Sequence, residues 1–385
     1  MPSVNYDVII IGAGSIGTPT ALYCARAGLK VLVLESDHAP AQGQAKRAIG
    51  GIRATHSEPA KIKLTMEARE IFANFQNETG RNIHWNRGGY LFPAFAAREE
   101  NTLKDILKIQ QSLGLEIEWI SPDEVERLVP GIVREGLRGA TFTKDDGSAS
   151  TIDAMAAFYE EALTAGTEFR FDEAVTAFIH ENGKLQAVKT DKGVYPCAYA
   201  VNAAGIHGDR IAALAGTEIK LMPDMHEAGI TDPMGHFFDT MVVDIRHGRN
   251  SKNIYFYQNE IGQVVFCLTP SPAMYGTDVR STSEFLPLVS GRILKIMPRL
   301  ADAKVRRVWR GLYPNTPDGS PYIDRDPHIE GLLHTVGMCG QGFMLGPGVG
   351  KLISRWLTEK LNDDDRMVLS LLKIGRNIGS GEVLS

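Results

Sequence analysis

Apolar and polar positions along this chain follow two different periods, and each change of period marks an element. Tyr6-Asp7-Val8-Ile9-Ile10-Ile11 and Val31-Leu32-Val33-Leu34 are short apolar runs, the pattern of strands buried on both faces. The stretch between them reads as a helix reaching Ala27. Pro19 is tolerated in its first turn, where the N–H groups have no intrahelical acceptor. Residues 59–79 place Leu64, Ala68, Ile71 and Phe75 on one helical face. After Asn86-Arg87-Gly88-Gly89 a short strand, Tyr90-Leu91-Phe92, is expected, then a helix through Leu103, Ile106 and Leu107 that ends at Gly114. Ser121-Pro122-Asp123-Glu124 reads as a capping box with proline at the first helical position.

A further helix is predicted over residues 153–165, closed by Gly166, and Asn182-Gly183 and Lys192-Gly193 mark hairpin turns. The apolar run Ala198-Tyr199-Ala200-Val201-Asn202 reads as a strand returning to the first sheet. Residues 221–298 are strand-rich, and a last helix is expected over 349–361. This alternation predicts a discontinuous nucleotide domain of residues 1–82, 145–222 and 300–385, with residues 83–144 and 223–299 inserted as a substrate domain.

At 385 residues and 43% hydrophobic, the chain can bury one large core or two linked ones. A formal charge of −5, with basic residues scattered, gives no general attraction to nucleic acid. Cys24, Cys197, Cys267 and Cys339 form neither a CxxC nor a zinc spacing, so no metal site is expected. They fit a reducing cytosol. The start lacks a basic n-region, and its apolar run is too short for a signal or a membrane span, so a cytoplasmic protein without a transmembrane segment is expected.

The chemistry gathers at two glycine clusters. Gly12-Ala13-Gly14-Ser15-Ile16-Gly17 stands between a strand and a helix, the context a dinucleotide fingerprint requires. Gly12 makes the turn, Gly14 admits a pyrophosphate, Gly17 lets helix and strand pack, and the free helix N–H groups face the phosphate charge. Glu35, followed by Ser36, ends the second strand where an acid can accept hydrogen bonds from adenosine ribose hydroxyls. The second cluster runs from Gly337 through Gly340, Gln341 and Gly342 to Gly348.

With these motifs come Gly50-Gly51-Ile52-Arg53, Gly89-Tyr90-Leu91-Phe92, Asp146-Gly147, Val201-Asn202-Ala203-Ala204-Gly205, Trp309-Arg310-Gly311, Thr316-Pro317-Asp318-Gly319-Ser320-Pro321 and Gly340-Gln341-Gly342-Phe343. In this order they resemble the D-amino-acid oxidase-like flavoproteins, which include glycine and sarcosine oxidases and dye-linked proline dehydrogenase. The likeness is nearest to the β subunits of heteromeric members. It implies an α/β fold, a Rossmann-like FAD-binding domain with an inserted antiparallel-β (α+β) substrate domain, and the flavin ring at their junction. It also implies that Gly43, Gln44, Ala45 and the run to Arg53 wrap the cofactor, that Val175 meets adenine, and that Ala203, Gly205 and Gly311 border it. The N–H groups of Gly342, Phe343 and Met344 would stabilise the negative charge of the reduced ring.

Some positions depart from the family pattern. The carboxylate-binding arginine of many members is replaced in Gly311-Leu312-Tyr313-Pro314. The carboxylate-holding pair of monomeric sarcosine oxidase corresponds to His56 and Met344, and its flavin-attaching cysteine to Gly311, so non-covalent FAD is expected. Aligned without gaps from Tyr255, its oxygen-activating lysine falls at Phe266, which favours an acceptor other than oxygen. The resemblance thus implies a dehydrogenase or oxidase of a small amino acid or amine, with hydride transfer to flavin N5 giving an imine. Arg53, His226, Tyr255 and Gln341 are the catalytic candidates; His56, Glu227, Tyr257, Arg310 and Tyr313 are further pocket candidates. A β subunit acting mainly in electron relay with a partner subunit or carrier, and a 2-hydroxy-acid or glycerol-phosphate dehydrogenase, remain open.

Overall fold

The structure, a computed structural model, describes residues 5–377 and 381–384. Strand Tyr6–Ile11 lies at the centre of the first sheet, parallel to Val31–Leu34 on one side and Val194–Asn202 on the other, with Ile10 opposite both Val33 and Val201. Strand Leu332–Val336 adds in parallel beside Val194–Asn202, and Glu168–Arg170 beside Val31–Leu34. Strands Tyr6–Ile11 and Val31–Leu34 are buried almost throughout because helices cover them, which is why they read as short apolar runs.

The second sheet is laid out in the order 305–315, 222–231, 264–270, 251–258, 241–244, 90–94, 139–143 and 118–120. It is antiparallel except where Met241–Asp244 runs parallel to Tyr90–Ala94. Strand Val305–Asn315 pairs with Met222–Thr231 along nearly its whole length. The sequence places it with the nucleotide segment 300–385, whereas its hydrogen bonds place it in the second sheet.

Helix Pro59–Thr79 has the predicted bounds and ends at Gly80 with φ 74°, the left-handed cap that glycine adopts without strain. Ser121 caps helix Pro122–Leu128 as predicted, accepting from the Glu124 N–H. The last expected helix differs: it spans Gly342–Leu357 and starts inside the glycine cluster. A Cβ on Gly346 would lie 1.9 Å from the Ser15 carbonyl oxygen, one on Gly348 2.2 Å from that of Leu64, and one on Gly350 2.8 Å from the Pro19 carbonyl carbon. The helix therefore packs backbone to backbone against helices Gly17–Arg26 and Pro59–Thr79. That packing overrides the low helix propensity of its glycines and of Pro347.

Candidate active site

A cavity of about 450 Å³ runs between the two sheets, from Ser15 and Ile16 in the first glycine turn to His226 and Tyr255 on the second sheet. At its first end the glycines divide their work. Gly12 has φ 104°, and a Cβ there would lie 2.7 Å from the Ala203 carbonyl oxygen; on Gly17 it would lie 1.9 Å from that of Gly12. Both are demanded by the protein's own packing. A Cβ on Gly14 meets nothing within 4 Å, and the same holds at Gly43 and Gly205. Glu35 stands at the end of Val31–Leu34, its carboxylate accepting from the N–H groups of Ala13 at 2.7 Å and Asp37 at 2.9 Å, with Ser36 exposed beside it.

The segment Gly43–Arg53 forms one long wall. Gln44 Oε1 accepts from the Leu312 N–H at 2.8 Å, Arg47 donates to the Arg310 carbonyl at 3.0 Å, and Trp309 Nε1 donates to the Arg47 carbonyl at 2.8 Å. Gly50 and Gly51 turn tightly here, since a Cβ would lie 2.2 Å from the Ala149 oxygen or 2.0 Å from Tyr90 Oη. Gln44, Ala45, Gly50, Gly51 and Gly311 line the cavity, as does Arg53. The guanidinium of Arg53 donates to the carbonyls of Thr55 and, at 2.7 Å, Leu384.

On the second sheet the Tyr255 and Tyr313 hydroxyls meet at 2.7 Å, and the His226 ring stacks on Tyr313 with centroids 3.8 Å apart. His226 Nε2 lies 3.0 Å from Asp224 Oδ2, and Asp224 also takes the Met274 N–H at 2.8 Å and the Asn315 amide at 3.4 Å. Met274 and Asn315 both donate to this carboxylate, so the tautomer that pairs with it is the one with the imidazole proton on Nε2 and the lone pair on Nδ1. Among the described residues, the buried Nδ1 has no partner, and neither does the buried amide oxygen Oε1 of Gln341. Gln341 heads helix Gly342–Leu357, whose first residues Gly342, Phe343 and Met344 line the same cavity. Gly340 is held under Tyr313, a Cβ there falling 2.2 Å from the ring.

Several expected residues stand elsewhere. Strand alternation separates His226 from Glu227, which turns away to pair with Arg310 at 3.1 Å and accept from Thr282; both are structural. His56 does not line the cavity; it is buried beside Glu382, and burial, then the nearby Arg53 charge, pushes its pKa down to about 3. Tyr257 donates to the Ile49 carbonyl at 2.6 Å and faces a second cavity. The Ile52 side chain is buried in the core with Leu22 and Phe158, and the Val175 side chain packs against the apolar cluster of Leu34, Phe178 and Val188, which leaves its backbone, the part expected at adenine, at the edge of the first sheet. Phe266 is buried against Phe285, turned from the cavity, because Tyr255 stands opposite Cys267 and opposed residues share a face. Asp224, Lys252, Cys267 and Leu384 line the cavity without having been singled out. Asp224 was within reach, two residues before His226 on one strand face; nothing in the sequence marks the return of Leu384.

This cleft fits FAD. Open space at Gly14, Gly43 and Gly205 leaves the backbone accessible, and a helix N-terminus offers N–H groups toward the middle. Among known proteins, the chain is 23% identical over 359 residues to 4-methylaminobutanoate oxidase (formaldehyde-forming) of Paenarthrobacter nicotinovorans. That match covers 91% of this chain but only 43% of that longer protein. It is 24% identical over 356 residues to sarcosine oxidase subunit beta of Rhodobacter capsulatus, covering 91% of this chain and 84% of that one. The crystal structure of L-proline dehydrogenase from P. horikoshii superposes with a TM-score of 0.87 at 28% identity, over 94% of this chain and 96% of that chain. The family model described as FAD dependent oxidoreductase matches residues 7–356, and the chain accordingly belongs to this DAO family of FAD-binding oxidoreductases.

Proposed function

We propose that the enzyme oxidises the C–N bond of a small amino acid or amine. The observation that carries this is the pair of buried, unpartnered acceptors in the cleft, His226 Nδ1 and Gln341 Oε1. Buried acceptors need donors, and a secondary amine arriving as its ammonium brings two N–H groups where a hydroxy acid brings one O–H. The relatives' printed substrates, 4-methylaminobutanoate, sarcosine and L-proline, are of this kind.

FAD, when bound, supplies the two-electron acceptor; Ser15, Ile16, Gln44, Gly50, Gly51, Gly205, Gly311 and the start of helix Gly342–Leu357 would hold it. Its attachment is non-covalent, since Gly311 offers no thiol. The chain's own residues prepare the substrate. His226 takes the ammonium proton at Nδ1, and the imidazolium that forms is held by Asp224, 3.0 Å from Nε2. Tyr313, stacked on the imidazole, fixes the ring plane, and the Tyr255–Tyr313 hydroxyl pair closes that side against water. The neutral amine can then lose its α-hydrogen, and the imine product hydrolyses in solution. The test is anaerobic bleaching of the flavin by sarcosine, proline, glycine, D-amino acids, opines and glycerol phosphate. Bleaching by glycerol phosphate alone would refute the proposal.

A second reading, that the chain is one subunit of a heteromeric enzyme, is favoured by a second cavity of about 740 Å³ sharing the Arg47–Ile49 wall. At its mouth Ile152 and Ile261 are 67% and 60% exposed, an apolar surface that suits a partner. The likeness to a subunit named beta agrees. Dye-linked turnover by the purified chain alone would exclude a purely relaying role.

A further inference from the structure

Strands Ser251–Gln258 and Val264–Pro270 pair in register from Asn253 opposite Thr269 onward, but Ser251 already stands opposite Pro270. Lys252 is therefore an extra residue, a β-bulge. Regular alternation would put its side chain on the face of Ile254 and Phe256, which are buried in the apolar core of the second sheet. The bulge re-aims it, and Lys252 lines the active-site cavity with Asn253, Tyr255 and Thr269. A half-buried ammonium at this place is costly, and burial lowers its pKa despite the Glu382 carboxylate nearby.

An amino acid brings a carboxylate as well as an amine, and a carboxylate leaving water needs a cation. The other cleft cations, Arg53 and Arg47, are anchored on the backbone carbonyls of Thr55, Leu384 and Arg310; Lys252 is engaged too, and what distinguishes it is the bulge that turns its ammonium into the cleft. Tyr313 spends its hydroxyl on Tyr255. We propose that Lys252, turned into the cleft by the bulge, binds the substrate carboxylate and makes the enzyme select amino acids over simple amines. This rests on reading the cleft as a site of amine oxidation. The carboxylate then lies toward Lys252 while the amine lies toward His226. The ammonium is already engaged in the resting chain, so a carboxylate binds it by exchange.

The experiment titrates the flavin absorbance of resting holoenzyme with tetrahydrofuran-2-carboxylate, which has no N–H to oxidise, and with the matching neutral alcohol. Lys252→Met should weaken carboxylate binding about tenfold to a hundredfold, the range for a charge-assisted hydrogen bond. The alcohol should be unaffected, and Lys252→Arg should regain most of the loss. In turnover, KM for sarcosine or proline should rise by the same factor while kcat stays within about twofold, with pyrrolidine unchanged. Equal carboxylate binding by wild type and Lys252→Met, or equal loss for both probes, would overturn the proposal. So would a wild type that binds the carboxylate no more tightly than the alcohol. If no amine bleaches the flavin yet the titration depends on Lys252, the reading of amine oxidation fails and the anion site stands.

Discussion

Gly14 and Gly17 lie in one turn, yet their replacement should fail for opposite reasons. A Cβ on Gly17 would sit 1.9 Å from the Gly12 carbonyl oxygen and 3.2 Å from Ile10 Cγ2, where contacts under 3.0 Å are essentially never seen. Gly17→Ala must push helix Gly17–Arg26 off the first strand by about 1 Å, a degree of overpacking that costs about 1–3 kcal/mol. The apoprotein should then lose about 1–4 °C in Tm. A Cβ on Gly14 meets no atom within 4 Å, so Gly14→Val should change apoprotein stability by no more than about 0.5 kcal/mol. What valine fills is the approach to the backbone N–H groups that a pyrophosphate would use. Each hydrogen bond to a charged group is worth about 1.5–3 kcal/mol, so one lost bond should weaken FAD binding about tenfold to a hundredfold. Glu35→Ala should loosen FAD less than Gly14→Val, having no steric block. The assay is a thermal melt of each apoprotein beside a fluorescence titration with FAD. A Gly14→Val protein that melts as low as Gly17→Ala, or that binds FAD like wild type, would refute the reasoning.

His56 has its pKa pushed down to about 3 in the folded protein, against about 6.5 unfolded. The unfolded chain therefore takes up a proton that the folded one refuses, so stability falls as pH drops from 6.5 toward 3, by about 2 kcal/mol at pH 5. Urea unfolding at pH 7 and pH 5 should show His56→Gln losing about 2 kcal/mol less than wild type over that interval; identical losses would mean that His56 is not held neutral. Acid precipitation should leave the yellow colour in the supernatant; flavin retained in the pellet would contradict non-covalent attachment, with Cys339 in the cavity wall as the first residue to inspect. Phe266→Lys buries a charge beside Phe285 and should lower the melting temperature, while the protein that stays folded should keep the wild-type oxygen rate. Cys267→Lys, on the cleft face, should speed reoxidation of reduced flavin by air in stopped flow, because a cation steadies the charge that oxygen gains. A folded Cys267→Lys protein with the wild-type oxygen rate would exclude that position.

The first sheet was legible because strands covered on both faces run apolar without interruption, and the glycine turn between the first strand and helix carries its own stereochemical signature. The second sheet was legible as strands but not in its membership. Val305–Asn315 follows long-range pairing with Met222–Thr231, which no local pattern encodes. The start of helix Gly342–Leu357 was hidden because Gly346, Gly348 and Gly350 read as a loop until the helices they touch are present. Within the site, alternation along Met222–Thr231 was enough to separate His226 from Glu227. The bulge at Lys252 broke the same rule, and the assignment of residue 266 failed because facing depends on the partner strand. Contacts of Glu382 and Leu384 with Lys61 and Arg53 join residues more than three hundred positions apart, beyond any periodicity.

The central position of Tyr6–Ile11 in its sheet has a consequence for synthesis. Its neighbour Val194–Asn202 keeps an open edge until Leu332–Val336 has emerged from the ribosome, and helix Gly342–Leu357 follows later still. Most of the nascent chain must thus wait with an unpaired, apolar parallel edge, the arrangement that folds slowly and aggregates readily. A stop codon anywhere before residue 336 should yield neither half of the molecule as a free-standing unit, and co-translational chaperones should engage this chain for most of its translation.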